Sequence, residues 1–189
     1  EVYSKTFDEE EAIKHYKKAL LIEPGLEKTH NNLGISYKNM GFLDNAETHL
    51  KQAVAIKPDF AQAYNNLGNV LNEKSDLPGA RSSYLRSIEL DPERPHAYWN
   101  LHSTVNDMEL AKSIIELCLD KDPQYEPAIY TLAAINAYQG DRSFSKLLFD
   151  SEVGSEASVR SLEWILALPQ LPQLSFNRWN VFDKAVSLS

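Results

Sequence analysis

A 34-residue period constrains the fold of this chain more than any other feature of its sequence. Residues 29–34 read THNNLG and residues 63–68 read AYNNLG, at an offset of 34 residues. The same offset relates further pairs: Ala46 and Ala80, Leu50 and Tyr84, Ala53 and Ser87, Pro58 and Pro92. A period shared by small, aromatic and helix-ending residues is typical of a repeat array, in which each unit buries its apolar face on the next.

Each full repeat, over 27–60 and 61–94, is predicted to form two helices that are joined by a short turn and end at a proline. Apolar residues recur at spacings of three and four, as they do on one face of a helix. Gly34 and Gly68 lie inside the first helices, where glycine costs about 1 kcal/mol relative to alanine. We therefore expect each glycine to allow a close approach of the second helix. Turns are predicted at Gly41 and at Ser75-Asp76.

The period, and the order of Leu-Gly, alanine, aromatic residue and proline, resemble the tetratricopeptide repeat family. The resemblance implies an all-α fold, a right-handed superhelical solenoid of antiparallel helix hairpins whose first helices line a concave groove. We predict repeats over 1–150, with a partial first repeat at 1–24. A helical cap, or a connector to a further domain, is predicted over 151–189.

Three units depart from the regular pattern. In the partial repeat Phe7 occupies the turn position of Gly41, so the second helix is expected to begin with Asp8 as its N-cap. In the fourth unit, 95–125, the second-helix positions arrive 31 residues after their predecessors, so three residues are missing between Leu101 and Ala111. There His102 replaces the close-contact glycine, and we expect the hairpin to splay. In the fifth unit, 126–150, the pattern fades, and Trp164 is expected to be buried in the following cap.

Composition and motifs argue against several classes of function. A net charge of −8 and a pI near 5.1 disfavour nucleic-acid and membrane partners, which need a basic face. The sequence has neither histidines, cysteines and acids at metal-ligand spacing nor a phosphate-binding glycine-rich loop. We therefore predict a protein that is not an enzyme, has no cofactor or metal, and is located in the cytoplasm. Cys118 falls in the small-residue column and is expected to be buried, while His15 and His49 are expected to face solvent.

An asparagine column points to the mode of binding. Asn32, Asn66 and Asn100 each precede the leucine of a first helix, although asparagine is a mediocre helix former. A side-chain amide both donates and accepts hydrogen bonds, so it can pair with a peptide backbone. The alternative interpretation is that these are ordinary polar residues on a wet helix face. Because they are expected to face water, replacing them is expected to leave folding nearly unchanged.

The Asn-Leu-Gly sequence and its column also resemble the repeats of O-linked N-acetylglucosamine transferases over residues 1–110. That resemblance implies that the column holds a polypeptide. The full set of residues predicted to bind peptide is Lys28, Asn31, Asn32, Gln62, Asn65, Asn66, Asn69, Trp99 and Asn100. A clamp for a C-terminal carboxylate is disfavoured, because Lys28 and Lys38 are balanced by Glu73 and Asp107.

The sequence thus predicts a protein–protein interaction module that binds an extended polypeptide in a neutral, asparagine-lined groove. Another possibility is a substrate-selecting or regulatory segment of a larger glycosyltransferase or methyltransferase. A third is self-association, since the apolar face of residues 1–24 lacks most of its partner helix and could form a homodimer.

Overall fold

The computed structural model describes residues 2–138, and side chains within 9–136. This part of the chain is all-α, as predicted, and contains no strand. Its helices are α1 (Val2–Ile22), α2 (Glu27–Asn39), α3 (Leu43–Ile56), α4 (Ala61–Glu73), α5 (Leu77–Leu90), α6 (Pro95–His102), α7 (Met108–Lys121) and α8 (Glu126–Tyr138). Two compact units share the chain, one ending at Thr104 and one beginning at Val105.

The first unit is a stack of helix hairpins. Helices α2 and α3 pack on each other, as do α4 and α5, and each pair is joined by a turn of three residues. Neighbouring hairpins meet through α1 and α2, α3 and α4, and α5 and α6. The first helices are also neighbours, since α2 contacts α4 and α4 contacts α6. This arrangement brings the predicted asparagine column onto adjacent helices.

The two turns have the same hydrogen-bonded geometry. After α2 the Gly41 N–H bonds to the Lys38 carbonyl at 2.8 Å and the Phe42 N–H to the Tyr37 carbonyl at 2.9 Å. After α4 the Ser75 N–H bonds to the Asn72 carbonyl and the Asp76 N–H to the Leu71 carbonyl, at 2.9 and 2.8 Å. These are Schellman motifs, which need a left-handed residue, and φ is +79° at Gly41 and 64° at Ser75.

The predicted turn at Phe7 is wrong. Helix α1 runs without a break from Val2 to Ile22 and passes through both Phe7 and Asp8, so Asp8 is not an N-cap. Within residues 2–138 a positive φ occurs only at Gly41 and Ser75. Phe7 has a large side chain, which strongly disfavours the left-handed conformation. The helix therefore continues where a glycine would have ended it.

The close approach at the two glycines is confirmed. A Cβ added at Gly34 would lie 2.6 Å from Leu50 Cγ, and one added at Gly68 would lie 2.4 Å from Tyr84 Cε1. Leu50 and Tyr84 are fully buried on the second helices. Each hairpin therefore closes by packing a large side chain of the second helix against bare backbone of the first.

The small-residue column consists of Ala19, Ala53, Ser87 and Cys118. Ala19 is half-buried, and the other three are buried, as predicted for Cys118. Ala53, Ser87 and Cys118 are each 0% exposed, and Cys118 is a free thiol on α7. The hydroxyl of Ser87 donates to the Ala61 carbonyl at 2.8 Å, which ties α5 to the start of α4. The column thus provides space for helix contact and, in one repeat, a buried hydrogen bond.

The shortened fourth unit loses its residues from the end of its first helix. Helix α6 has eight residues and ends at His102, whereas α2 and α4 have 13. Local donors satisfy its end: Ser103 Oγ bonds to the Asn100 carbonyl, Thr104 Oγ1 to the Leu101 carbonyl, and Arg81 Nη2 on α5 to the Thr104 carbonyl. The boundary between the compact units falls directly after this cap.

Two sequence expectations lie outside the described residues. These are the division at 150/151 and the burial of Trp164, and both stay predictions. In the second unit, α7 and α8 pack on each other, and α8 is the predicted first helix of the fifth repeat.

On α1, Ile13 is buried, whereas Leu21 and Ile22 are 83% and 87% exposed. Self-association through residues 1–24 also stays a prediction.

Gly68→Ala is expected to destabilise the protein by about 1–3 kcal/mol, the usual cost of overpacking, because its Cβ would overlap the buried Tyr84 ring. Gly25→Ala is the matched control, since a Cβ there meets no atom within 4 Å. Urea unfolding of both variants measures the difference. Equal stability of the two variants would contradict the close-packing role of Gly68.

The stability of the protein is expected to fall between pH 7 and pH 4 through His102. Burial lowers the pKa of His102 to about 4, against the opposing effect of its hydrogen bond to the Trp99 carbonyl. An unfolded histidine has a pKa near 6.5, so as the pH falls the unfolded state binds a proton at this residue before the folded state does. By linkage, the free energy of unfolding falls by about 3 kcal/mol between pH 7 and pH 4.

Urea unfolding at pH 7 and pH 4 tests this expectation. A His102→Leu variant should lose about 3 kcal/mol less than the parent over that interval. A His15→Leu variant, changed at an exposed histidine, should lose as much as the parent. Identical pH dependence of the parent and His102→Leu would show that the buried ring is not responsible.

Candidate functional site

The asparagine column forms one row across three neighbouring helices. Asn32 lies on α2, Asn66 on α4 and Asn100 on α6, and we call these three residues the ladder. Asn32 is exposed, and Asn66 and Asn100 are half-buried. Each rung therefore has side-chain surface that faces solvent, on the same side of the first unit.

A second set of amides lies beneath the ladder. Asn66 Nδ2 donates to Asn31 Oδ1 at 2.9 Å, and Asn100 Nδ2 donates to Asn65 Oδ1 at 3.0 Å. Both bonds span 35 residues and so join each rung to the preceding repeat. Asn31 Nδ2 in turn donates to Asn32 Oδ1 at 3.1 Å. We call these three hydrogen bonds the relay.

Burial separates the two sets of asparagines. Asn31 is 2% exposed and Asn65 is 8% exposed, so little of either side chain is on the surface. A buried amide that loses its partner costs free energy, because its desolvation is no longer compensated. Replacement of Asn66 or Asn100 would leave Asn31 or Asn65 without the relay bond. The premise of the folding expectation, that these side chains face only water, is therefore wrong for Asn66 and Asn100, and the effect of replacing them on folding stays a prediction.

A small cleft opens beside the middle rung. Its volume is about 130 Å³, and it is lined by Ile35, Lys38, Asn39, Leu50, Asn66 and Asn69. Asn69 Oδ1 accepts a hydrogen bond of 2.9 Å from the Tyr84 hydroxyl. Burial raises the pKa of Tyr84, so the hydroxyl stays a donor at ordinary pH. The cleft therefore combines an aliphatic floor with amide groups of fixed partners.

The charges beside the cleft are balanced. Lys38 Nζ on α2 lies 3.4 Å from Glu73 Oε1 on α4, a pair that joins successive first helices. On the other side Asn39 Nδ2 donates to Glu9 Oε1 of α1 at 2.7 Å. The paired lysine supports the expectation of a neutral surface rather than a cationic clamp.

The remaining predicted residues flank the ladder. Lys28 and Gln62 are exposed and lie one helical turn before Asn32 and Asn66. Trp99 is half-buried on α6, with its ring 5.8 Å from that of His102. These three side chains lie on the helices of the ladder, and their contact with a peptide stays a prediction.

A contact between two histidines, His30 on α2 and His49 on α3, was not predicted from the sequence. His30 Nδ1 and His49 Nδ1 are 3.0 Å apart, and His30 Nε2 is 3.1 Å from the Pro24 carbonyl. The expectation that His49 faces solvent is therefore wrong: its ring is half-buried and parallel to that of Tyr37. Burial, and then the nearby His30, lower the pKa of His49. His15 is exposed as expected.

Two features are absent from the described part of the chain: a cluster of metal-binding side chains and a membrane-spanning helix. Among residues 2–138 there is no group of three or more histidine, cysteine and acidic side chains that could hold a metal ion. None of the helices in that range is long and apolar enough to cross a lipid bilayer.

Family models match most of the regular repeats. A tetratricopeptide repeat model matches residues 1–25 and 61–94, and a second TPR repeat model matches residues 43–75. A comparison with curated protein sequences gives no match. The predicted repeat family is thus confirmed over these segments.

Solved structures share the fold at low sequence identity. PilF of Pseudomonas aeruginosa is 22% identical with a TM-score of 0.73, and the match covers 98% of this chain and 83% of that one. MamA is 23% identical with a TM-score of 0.64, covering 84% and 90%. YrrB, described as a TPR protein with an unusual peptide-binding site, is 18% identical with a TM-score of 0.58, covering 86% and 82%.

The O-linked N-acetylglucosamine transferases are a more distant match. An O-GlcNAc transferase from Thermobaculum terrenum is 21% identical with a TM-score of 0.59. The match covers 66% of this chain but only 25% of the transferase. At this identity the likeness shows a shared repeat fold and carries no activity with it.

Asn66→Ala is expected to lower the free energy of unfolding by about 1–3 kcal/mol, because it leaves the buried Asn31 Oδ1 without its donor. Gln62→Ala, at an exposed position of the same helix, is the control and should change it by less than about 0.5 kcal/mol. Denaturant unfolding decides between them. An Asn66→Ala variant as stable as the control would mean that the relay does not hold the repeats together.

Proposed function

Because this chain carries tetratricopeptide repeats, we propose that it binds an extended polypeptide segment along the ladder Asn32, Asn66 and Asn100. The observation that carries the proposal is the regular placement of these amides on three neighbouring first helices, each with surface facing solvent. Asparagine is a mediocre helix former, so its recurrence there has a cost to helix stability. The relay bonds offset that cost at Asn66 and Asn100, and the solvent-facing polar groups of all three rungs remain for a ligand.

The rungs retain the hydrogen-bonding groups that a peptide backbone needs. A side-chain amide has two N–H donors and one carbonyl oxygen. The relay uses one donor of Asn66 and one of Asn100, which leaves each rung one N–H and its oxygen. Those two groups complement the C=O and N–H of a passing peptide. The ladder therefore binds main chain and is tolerant of side-chain sequence.

Side-chain preference would come from the surroundings of the ladder. The cleft between Ile35 and Asn69 has room for one small side chain with an aliphatic part. Lys28, Gln62 and Trp99 flank the same row. Because Glu73 offsets the charge of Lys38, Lys28 is the remaining cation among these residues, and affinity should depend only weakly on salt.

The comparisons support a peptide ligand. YrrB has the same fold and is described as having a peptide-binding site. In this proposal the present chain acts by binding, and a bound peptide is released chemically unchanged. Mass spectrometry of a peptide recovered after long incubation tests that part of the proposal.

The alternative function is selection of substrates for a catalytic domain in the same polypeptide. The similarity to a quarter of a transferase chain is the observation that favours it. The peptide-binding surface would be the same, so the two functions differ only in what the polypeptide carries besides these repeats. Sequencing of the full transcript discriminates them, since the alternative requires a transferase domain in the same reading frame.

The triple variant Asn32→Ala, Asn66→Ala, Asn100→Ala is expected to weaken peptide binding by about 1.5–4.5 kcal/mol, at about 0.5–1.5 kcal/mol for one net hydrogen bond at each of the three rungs. The probe is a peptide selected on the parent protein from a random 12-residue library, with affinity measured by calorimetry. Asn45→Ala, at an exposed asparagine of α3, is the matched control and should bind like the parent.

Because two of the three rungs also stabilise the fold, the affinity is measured at a temperature where circular dichroism shows every variant folded. Affinity of the folded triple variant equal to that of Asn45→Ala would overturn the proposed function. A second calorimetric series, in which added salt abolishes binding by the parent, would contradict the neutral character of the site.

A further inference from the structure

We propose that Asn31 and Asn65 are positioning residues that hold the rung amides in one orientation, so that the ladder accepts a peptide in a single chain direction. The inference rests on the proposed function and assigns a specificity to that same site. It is carried by the two relay bonds that join neighbouring repeats, Asn66 to Asn31 and Asn100 to Asn65. The donor–acceptor distances are 2.9 and 3.0 Å, and the sequence separation is 35 residues in both cases.

A free asparagine on a helix surface does not define such an orientation. The last torsion of the side chain is broad and roughly two-fold, so the oxygen and the nitrogen of the amide exchange places at little cost. A surface of freely turning amides would present the same average pattern to a peptide running in either direction. Direction can be read only if something fixes the amides.

The relay provides that restraint. Asn31 Nδ2 donates to Asn32 Oδ1, so Asn31 presents its oxygen towards Asn66. An oxygen attracts only the Nδ2 side of the Asn66 amide, and because the amide is planar its Oδ1 lies on the opposite side. Asn65 Oδ1 likewise accepts from the Nδ2 of Asn100. Both oriented rungs therefore present their nitrogen towards the preceding repeat and their oxygen away from it.

Burial makes this orientation costly to reverse. Asn31 is 2% exposed and Asn65 is 8% exposed, so water does not readily replace the rung as their partner. Turning a rung over would set its oxygen against the buried oxygen of the preceding repeat and leave both without a donor. Unsatisfied buried polar groups are disfavoured, so the orientation persists when no peptide is bound.

The consequence for a ligand follows from backbone order. An extended chain presents its N–H and C=O groups in an order that depends on its direction, and reversal exchanges donor for acceptor along the row. Two oriented rungs match one direction and oppose like groups in the other. At about two- to tenfold per net hydrogen bond, the disfavoured direction should be weaker by about tenfold or more.

The relay also defines which rungs take part. Trp99 occupies the position of Asn31 and Asn65 in the fourth unit and has no amide oxygen to offer. Asn32 differs from the other two rungs, since its oxygen accepts from Asn31 in the same helix. Direction is therefore read at Asn66 and Asn100.

Paramagnetic NMR on the full chain tests the proposal. The probe is a 12-residue peptide selected on the parent from a random library, with a nitroxide tag at its N-terminus or at its C-terminus. Broadening of the backbone amides of Lys28 on α2 and of Ala97 on α6 reports which peptide end lies near which helix. In the parent each tag is expected to broaden one of the two residues and spare the other, by about tenfold or more.

Variants at Asn65 distinguish a positioning role of this residue from a purely structural one. Asn65→Asp keeps an acceptor for Asn100 and should retain the single direction, whereas Asn65→Leu removes it and should raise the minor direction by about two- to tenfold. Asn45→Leu controls for a surface change outside the relay. A merely structural role would lower affinity for both directions equally and leave their ratio unchanged.

The outcomes are distinct. Equal broadening by both tags in the parent would overturn the inference while leaving peptide binding intact, and this measurement needs no variant. An unchanged ratio in folded Asn65→Leu would also overturn it, and Asn65→Ala, which likewise has no side-chain acceptor, replaces that variant if leucine prevents folding. Failure of the library to yield a peptide that binds the ladder would overturn the proposed function, and the inference with it.

Discussion

The contact of Leu50 with Gly34, and of Tyr84 with Gly68, sets the distance between the two helices of each hairpin. A Cβ at either glycine would lie within 2.6 Å of the opposing side chain, so the helices approach as closely as bare backbone permits. That approach is repeated at the 34-residue period and therefore places successive first helices in equivalent positions. The relay depends on this regularity, because bonds of 2.9 and 3.0 Å between repeats tolerate little change in helix position.

The fourth unit shows how the fold behaves when the constraint is removed. His102 stands in the glycine column, and α6 ends at that residue instead of continuing for the length of α2 and α4. The early end needs its own donors for the last carbonyls, which Ser103 and Thr104 supply, while Arg81 bonds to the Thr104 carbonyl just beyond the helix. The imidazole is buried rather than turned to solvent, which lowers its pKa and makes its burial dependent on pH.

The regular part of the fold was predictable because its determinants recur in columns. Glycine, small residues and proline each have a local physical reason to occupy their positions, and the period repeats that reason. The turn predicted at Phe7 was wrong because the period aligns Phe7 with Gly41. Phenylalanine cannot easily adopt the left-handed conformation found at Gly41. A repeat position predicts a turn only where the residue at that position can adopt the backbone conformation of the turn.

The candidate site was predictable in part. The ladder asparagines are recognisable from one column, but the hydrogen bonds of Asn31 and Asn65 are not, because they join different helices. A signal was present in the Asn-Asn doublets of both full repeats. Consecutive residues on a helix point about 100° apart, so a doublet beside a solvent-facing position directs its other amide towards the neighbouring helix. A polar side chain in such a place needs a partner, and the only periodic partner is the amide one repeat away.

The relay joins stability and recognition in the same residues. Each oriented rung spends one N–H on the preceding repeat and keeps its other polar groups for a ligand. A purely structural asparagine could be replaced by an apolar residue of similar shape if its partner were replaced too. A purely ligand-binding asparagine would not need a buried acceptor behind it. A half-exposed rung paired with a buried acceptor meets both requirements, stability of the repeats and binding of a ligand. This pairing occurs twice at the same spacing.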